Sequence, residues 1–206
     1  MALITAAEAK KYLPSLSGSD EDTFIEGLIT AADAAFAEFC GYPEHTAGSP
    51  PSMLQQTYTR YFTDEIGLGI EGDSQRLRLG VTPAVSVTTI HEDSDWSYAS
   101  GDLVDSGDYI LLTDTGLVIL KPDSSHGSWL ASYRAIKVVF EAGWATVPGN
   151  LKLATQLIVA HWFRLRDRAG KSSVSFGPSS EQLRPETWPD AVKELLRRFT
   201  LAREIM

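Results

Sequence analysis

A chain of 206 residues with 43% hydrophobic and 10% aromatic content can bury one good core, or a core plus an appended lobe, and is not disordered. No apolar run reaches the roughly 18 to 20 residues of a membrane span, and the opening MALITAAEAKKYL lacks the basic-then-apolar order of a signal peptide, so a soluble intracellular product is expected. The net charge of -9 is unevenly held: residues 1–149 carry 8 Lys+Arg against 21 Asp+Glu, residues 150–206 carry 10 against 6. That balance argues against nucleic-acid binding through the main body, which needs a basic face, and fits either ends that meet different partners or acidic loops that solvate the surface.

The elements follow in chain order. Thr5-Ala6-Ala7-Glu8 reads as a capping box opening a short helix through Leu13, which Pro14 helps end. Ser19, with Asp22 three residues on, opens a second helix. Its apolar face is Phe24, Ile25, Leu28, Ile29, Ala32, Ala35, Phe36 and Phe39, and Gly41 closes it. The turn-rich stretch from Tyr42-Pro43 to Pro50-Pro51 marks the exit from the helices. From 54 to 141 the pattern is short strands at Leu54–Phe62, Arg76–Leu79, Val85–His91, Tyr109–Leu112, Leu117–Leu120 and Arg134–Glu141, an antiparallel sheet or small sandwich. Thr113 to Gly116 supplies the turn of the best hairpin. Ala142-Gly143-Trp144 breaks the last strand. Val147-Pro148-Gly149-Asn150 then turns into a long helix capped by Asn150 and running toward Gly170, with arginines near its end where the dipole favours them. Residues 171–187, poor in apolar content and rich in Ser, Pro and Gly, read as an extended arm or mobile link. A final helix begins at Thr187-Trp-Pro-Asp190, with Pro189 in its first turn.

The fold class expected is therefore α+β: a small helical bundle from the two ends, with an inserted antiparallel β-rich lobe. The boundaries are 1–53 for the N-terminal helices, 54–147 for the lobe, and 148–206 for the long helix, arm and C-terminal helix.

Catalytic chemistry finds no constellation. His45, His91, His126 and His161 stand one per segment, without the spacing of a metal cage, so no metal is expected. Cys40, at the end of an apolar helix, reads as a buried inert thiol. Ala169-Gly170-Lys171-Ser172 follows a helix instead of opening one and is no phosphate loop. The carboxylates from Glu92 to Asp102 fit a solvated hairpin tip better than a calcium loop. Trp144 and Trp162 are expected in the core. Trp188, beside the Pro-rich arm, is either an interface anchor or a staple for its own helix.

Two stretches carry a resemblance. The opening MALITAAEAKKYLPSLSGSDEDTFIEGLITAADAAFAEFCGY is the first; the second is Val138-Val-Phe-Glu-Ala-Gly-Trp144 with Val147-Pro148 and the helix Leu151–Arg168 containing Ala160-His-Trp-Phe-Arg164. In them the chain resembles the head-tail connector (adaptor) proteins of tailed bacteriophages and phage-like gene transfer agents. Compact members are mainly helical, so the strand-rich insertion is a departure or marks a longer subclass. The resemblance implies a structural virion protein of the neck, made in the host cytoplasm: a ring, usually twelvefold, docked on the portal protein. Such a ring continues the DNA channel toward a stopper or tail-completion protein. DNA would pass without specific binding, and neither enzyme activity, cofactor nor membrane is implied. The candidate portal or subunit interface is Phe176 and Arg184 in the arm with Trp188, Arg197 and Arg198 beyond it. The competing reading is a monomeric module gripping a carbohydrate or peptide through Trp96, Tyr98 and Trp129.

Overall fold

The computed structural model describes residues 2–13, 16, 18–62, 70–71, 75–166, 173–176, 179–182 and 188–201. It divides into two compact units, one of Met1–Phe36 with Thr146–Thr200, the other of Ala37–Ala145 with Leu201–Met206. Helices and antiparallel sheets coexist, the α+β mixture that the sequence pattern implies.

In the first unit, α1 (Ala6–Lys10) starts as its sequence requires. The Thr5 hydroxyl accepts from the Glu8 N–H at 3.2 Å, and the Glu8 carboxylate accepts from the Thr5 N–H at 2.9 Å. That backbone bond, with Lys152 beside it, holds the Glu8 carboxyl below its ordinary range. Helix α2 (Asp22–Cys40) begins three residues beyond Ser19. Ile25, Ile29, Ala32 and Phe36 are buried at i, i+4, i+7 and i+11, one helical face, whereas Phe24 and Phe39, expected on that face, are exposed. Helix α3 (Gly149–Leu165) starts one residue before Asn150, behind Pro148 at φ -61°, whose missing N–H costs nothing there. It buries Leu151, Ala154, Ile158, Val159 and Phe163, at about 1.5 to 3 kcal/mol for each large side chain. Ion pairs close the unit's surface: Lys152 Nζ to Glu8 Oε1 at 3.3 Å, Arg166 Nη1 to Glu21 Oε2 at 2.9 Å, and Lys10 to Asp22. Helix α4 (Asp190–Leu196) buries Val192 and Leu196 and runs into a 3-10 turn at Arg197–Phe199. Pro189 is its N-cap and not part of its first turn, and Thr187 lies outside the described residues.

The second unit holds two sheets. One is ordered β1 (Gln56–Phe62), β7 (Ile136–Ala142), β4 (Ala84–Glu92); the other is β2 (Ile70–Glu71), β3 (Arg76–Arg78), β6 (Leu117–Leu120), β5 (Tyr109–Leu112). All pairings are antiparallel. In β7 the alternation is strict: Ile136, Val138, Phe140 and Ala142 are buried, Lys137, Val139 and Glu141 lie on the other face. Tyr58 stacks on Phe140 at 5.5 Å beneath that face. The β5–β6 turn is closed by the Gly116 N–H on the Leu112 carbonyl at 2.9 Å, with Gly116 at φ +65°. Where α2 ends, Gly41 at φ +83° lets its own N–H reach Glu38 O and the Tyr42 N–H reach Ala37 O, a Schellman stop. Cys40 is buried.

Two findings depart from the sequence pattern. Strand β2 falls where only separators were expected, because two residues are too short to show alternation. Within 171–187, expected as an extended arm or link, β8 (Ser173–Phe176) pairs antiparallel with β9 (Ser179–Gln182), with Phe176 opposite Ser179. Backbone pairing across a short connection forms this ribbon despite its serine-rich strands.

Candidate interaction surface

The outward face of the three-stranded sheet ends in a row where Tyr61, Lys137 and His91 are register partners. The loop after β4 folds over this row. The Asp93 carboxylate shapes that loop, accepting from the backbone N–H of Asp95 at 2.7 Å, Ser97 at 2.5 Å and Tyr98 at 2.8 Å, and from the Ser97 hydroxyl at 2.9 Å. These bonds, that from Asp95 first, hold the Asp93 carboxyl below its ordinary range.

The wrap forces Trp96 to φ +62° and Tyr98 to φ +49°, while Arg134 opposite sits at φ +52°. Side chains with a Cβ rarely occupy that region, and three of them meeting at one surface is a costly arrangement that the fold must enforce. The enforcing bonds are explicit. The Trp96 indole N–H donates to the Tyr133 carbonyl at 2.8 Å, and the Tyr98 hydroxyl donates to the Arg134 carbonyl at 2.6 Å. Trp96 meets Tyr133 edge-on at 6.0 Å, Tyr61 meets Tyr98 at 5.5 Å, the Arg134 guanidinium lies 4.2 Å above the Tyr61 ring, and the Lys137 ammonium 5.2 Å above Tyr98. Partial burial pushes the Tyr98 phenol up, with Arg134 opposing. Trp96 nonetheless remains 54% exposed and Tyr133 50%. Aromatic rings and a guanidinium, held rigid and left in water, are the groups that dominate protein contacts.

A second feature of the same unit is a cleft of about 550 Å³ lined by Glu92, Asp102, Leu103, His126 and Trp129 among others. His126 Nδ1 lies 2.9 Å from Glu92 Oε2, and Nε2 lies 3.9 Å from Asp108 Oδ2. Glu92 also accepts from the Leu130 N–H at 2.8 Å. These bonds tie the 126–130 loop to β4. Among the described residues, no three His, Cys, Asp or Glu side chains are grouped to hold a metal ion.

The residues singled out by sequence fall in different places. Trp188 packs edge-on against Phe36 at 5.3 Å and is half-buried. Arg197 is exposed and paired with Glu194 at 2.9 Å, and Arg198 is exposed. Phe176 ends β8, its side chain outside the described residues, as is Arg184 altogether. Trp96 and Tyr98 do come together, but Trp129 is 1% exposed, its indole donating to the Gln75 carbonyl at 3.0 Å, and joins no shared face with them. Trp144 and Trp162, expected in the core, are half-buried. Tyr61, Tyr133, Arg134 and Lys137 were not foreseen as a group. The alternation of β7 already put Lys137 on the outer face; the missing signal was the β1–β7 register.

A rigid aromatic–cationic surface on an α+β scaffold is the kind of face through which a protein contacts other macromolecules. Residues 2–200 match the head completion protein family, and the chain belongs to it. That membership supports a structural head-tail connector and does not favour the monomeric binding module. The fold is similar to a chain in the virion of a native gene transfer agent (GTA) particle, with a TM-score of 0.58 and 18% identity, covering 98% of this chain and 92% of that one. It is also similar to a chain in the neck of a native GTA particle computed with C12 symmetry, with a TM-score of 0.57, 15% identity, and coverage of 97% and 92%. Among curated proteins, none matches the chain.

Proposed function

We propose that this protein is a head-tail adaptor of the virion neck, a subunit of a ring, twelvefold as in the similar neck, that docks on the portal protein and continues the DNA channel toward the stopper or tail. The observation that carries this is the family match over residues 2–200, seconded by a fold shared along 97% of the chain with a neck protein. Its work is scaffolding, with no reaction to catalyse. The surplus of carboxylates over residues 1–149 suits a channel along which DNA slides, because few phosphates would be neutralised. The more basic end, with exposed Arg197 and Arg198 beyond Trp188 and the arm carrying Phe176 and Arg184, is the side offered to the portal.

Supplying the protein to filled heads that lack it tests the reading. Heads should retain DNA and accept tails only after the addition, and native mass spectra with negative-stain images should show a closed ring, free or on isolated portal. A chain that stays monomeric on the portal and leaves such heads tailless would sink it.

A further inference from the structure

We propose that the aromatic–cationic surface of one copy seats on the exposed edge strand β5 of the next, making one head-to-tail contact; this rests on the ring reading above. Both halves belong to the second unit but to different sheets. Tyr61 and Lys137 lie on the β1–β7–β4 sheet; among the described residues β5 ends the other sheet, paired with β6 on one side. Strand β5 reads Tyr-Ile-Leu-Leu, with Ile110 50% exposed and Leu112 also exposed. A sheet edge with apolar side chains and no protecting Lys or Pro is an open invitation to association unless another chain covers it. The turns flanking it carry exposed Asp105, Asp114 and Asp123 against one half-buried cation, Lys121, which donates to the Gly107 carbonyl at 2.6 Å; this acidic surplus is opposite in sign to exposed Arg134 and half-buried Lys137.

Sign selects the partner. Residues 37–145 hold 15 Asp+Glu against 6 Lys+Arg, too acidic a body for two cations to draw onto nucleic acid. A symmetric contact of the aromatic surface with itself would set Arg134 and Lys137 against their own kind. Two unlike surfaces on one subunit make a heterologous contact, the type that closes into a ring when the rotation allows. The loop strained at Trp96 and Tyr98, with Arg134 strained opposite it, is also formed before contact, so little order has to be gained on binding.

Disulfide trapping tests this, since the native Cys40 is buried. Under mild oxidation, Tyr133→Cys combined with Ile110→Cys in one chain should give a ladder of covalent oligomers, and a mixture of the two single variants should give dimers containing one of each. Neither single variant should cross-link alone. Reversing the cations (Arg134→Glu with Lys137→Glu) should weaken self-association about 100-fold, and adding chains with Asp105→Lys and Asp114→Lys should restore a contact. Circular dichroism confirms that each variant folds. If rings form but persist in both charge-reversed chains and no mixed cross-link appears, this contact is wrong and the ring stands. Cross-linking by a single variant alone makes the contact symmetric and overturns it. No ring and no cross-link, free or on portal, overturns both readings.

Discussion

The helical unit and the β unit manage the same problem, apolar surface, in opposite ways. In the first, the stripe of α2 and the inner face of α3 are buried, and ion pairs such as Lys152–Glu8 and Arg166–Glu21 finish its rim. In the second, Phe140 and Trp129 are sealed inside while Trp96, Tyr133, Ile110 and Leu112 are left in water. Solvation alone does not require those exposures. Among the described residues the helical unit exposes Tyr12 and Phe24 of its large apolar side chains and the β unit many more, so it is the β unit that keeps most such groups back for another molecule.

The sharpest test of that contrast is inside the β unit itself. Phe140→Ala should cost about 3 to 5 kcal/mol, as it empties space under the stacked Tyr58 ring, whereas Trp96→Ala, removing a larger but half-exposed side chain with one indole hydrogen bond and one edge-on contact, should cost only about 0.5 to 1.5 kcal/mol. Thermal or urea unfolding of the two variants decides it. Equal losses would mean that Trp96 belongs to the core's support and erase the distinction. Gly143→Ala should come next. Gly143 sits at φ +103°, and an added Cβ would lie 2.4 Å from the Leu54 carbonyl oxygen, so backbone must shift and the loss should exceed about 1 kcal/mol. An unchanged unfolding midpoint would contradict the close approach of the chain there.

Trp188→Ala probes the other unit. The ring's edge-on contact with Phe36 predicts a stability loss of about 0.5 to 1.5 kcal/mol beyond simple area, before any partner is added. If stability is untouched and portal docking falls instead, Trp188 is the anchor that its place beside the arm suggested, and not a staple.

How far the sequence foretold this molecule depended on the range of its signals. The Thr5–Glu8 box, the Gly41 stop, the Gly116 turn and the alternation of β7 are each written within a few residues and were readable. The β8–β9 ribbon was not, because Val174 and Phe176 are its only large apolar side chains, and nothing in serine-rich strands distinguishes pairing from extension. The aromatic surface was half legible. Trp96 and Tyr98 stood out by type, but Trp129 looked equal to them until its burial separated it, and Tyr61 and Tyr133 join only through strand register and tertiary packing. The family resemblance came from element order at the two ends of the chain, which the match over residues 2–200 extends through the insertion.

The smallest effect expected is also the most local. Asp93 titrates below its ordinary value of 3.8 because the backbone N–H groups of Asp95, Tyr98 and Ser97 prefer the charged carboxylate. A depressed folded-state value means that the contribution of these bonds is fully present above the ordinary carboxylate pKa and lost as pH falls through the lower folded value. Between neutrality and about pH 5 the loop should therefore hold, and below about pH 4 it should loosen, releasing Trp96 and Tyr98 from their left-handed conformations. Asp93→Asn removes the charge at every pH and leaves a single acceptor oxygen where the carboxylate has two, so that an amide donor faces part of the N–H set. Amide exchange at Ser97 and Tyr98 should rise in this variant at neutral pH while the global unfolding midpoint stays put, because the loop lies outside the cores that Phe140 and Trp129 organise. Exchange rates unchanged from the parent would mean that the loop is held by its aromatic contacts alone, and the β unit's exposed surface would owe its rigidity to packing, as the helical unit does.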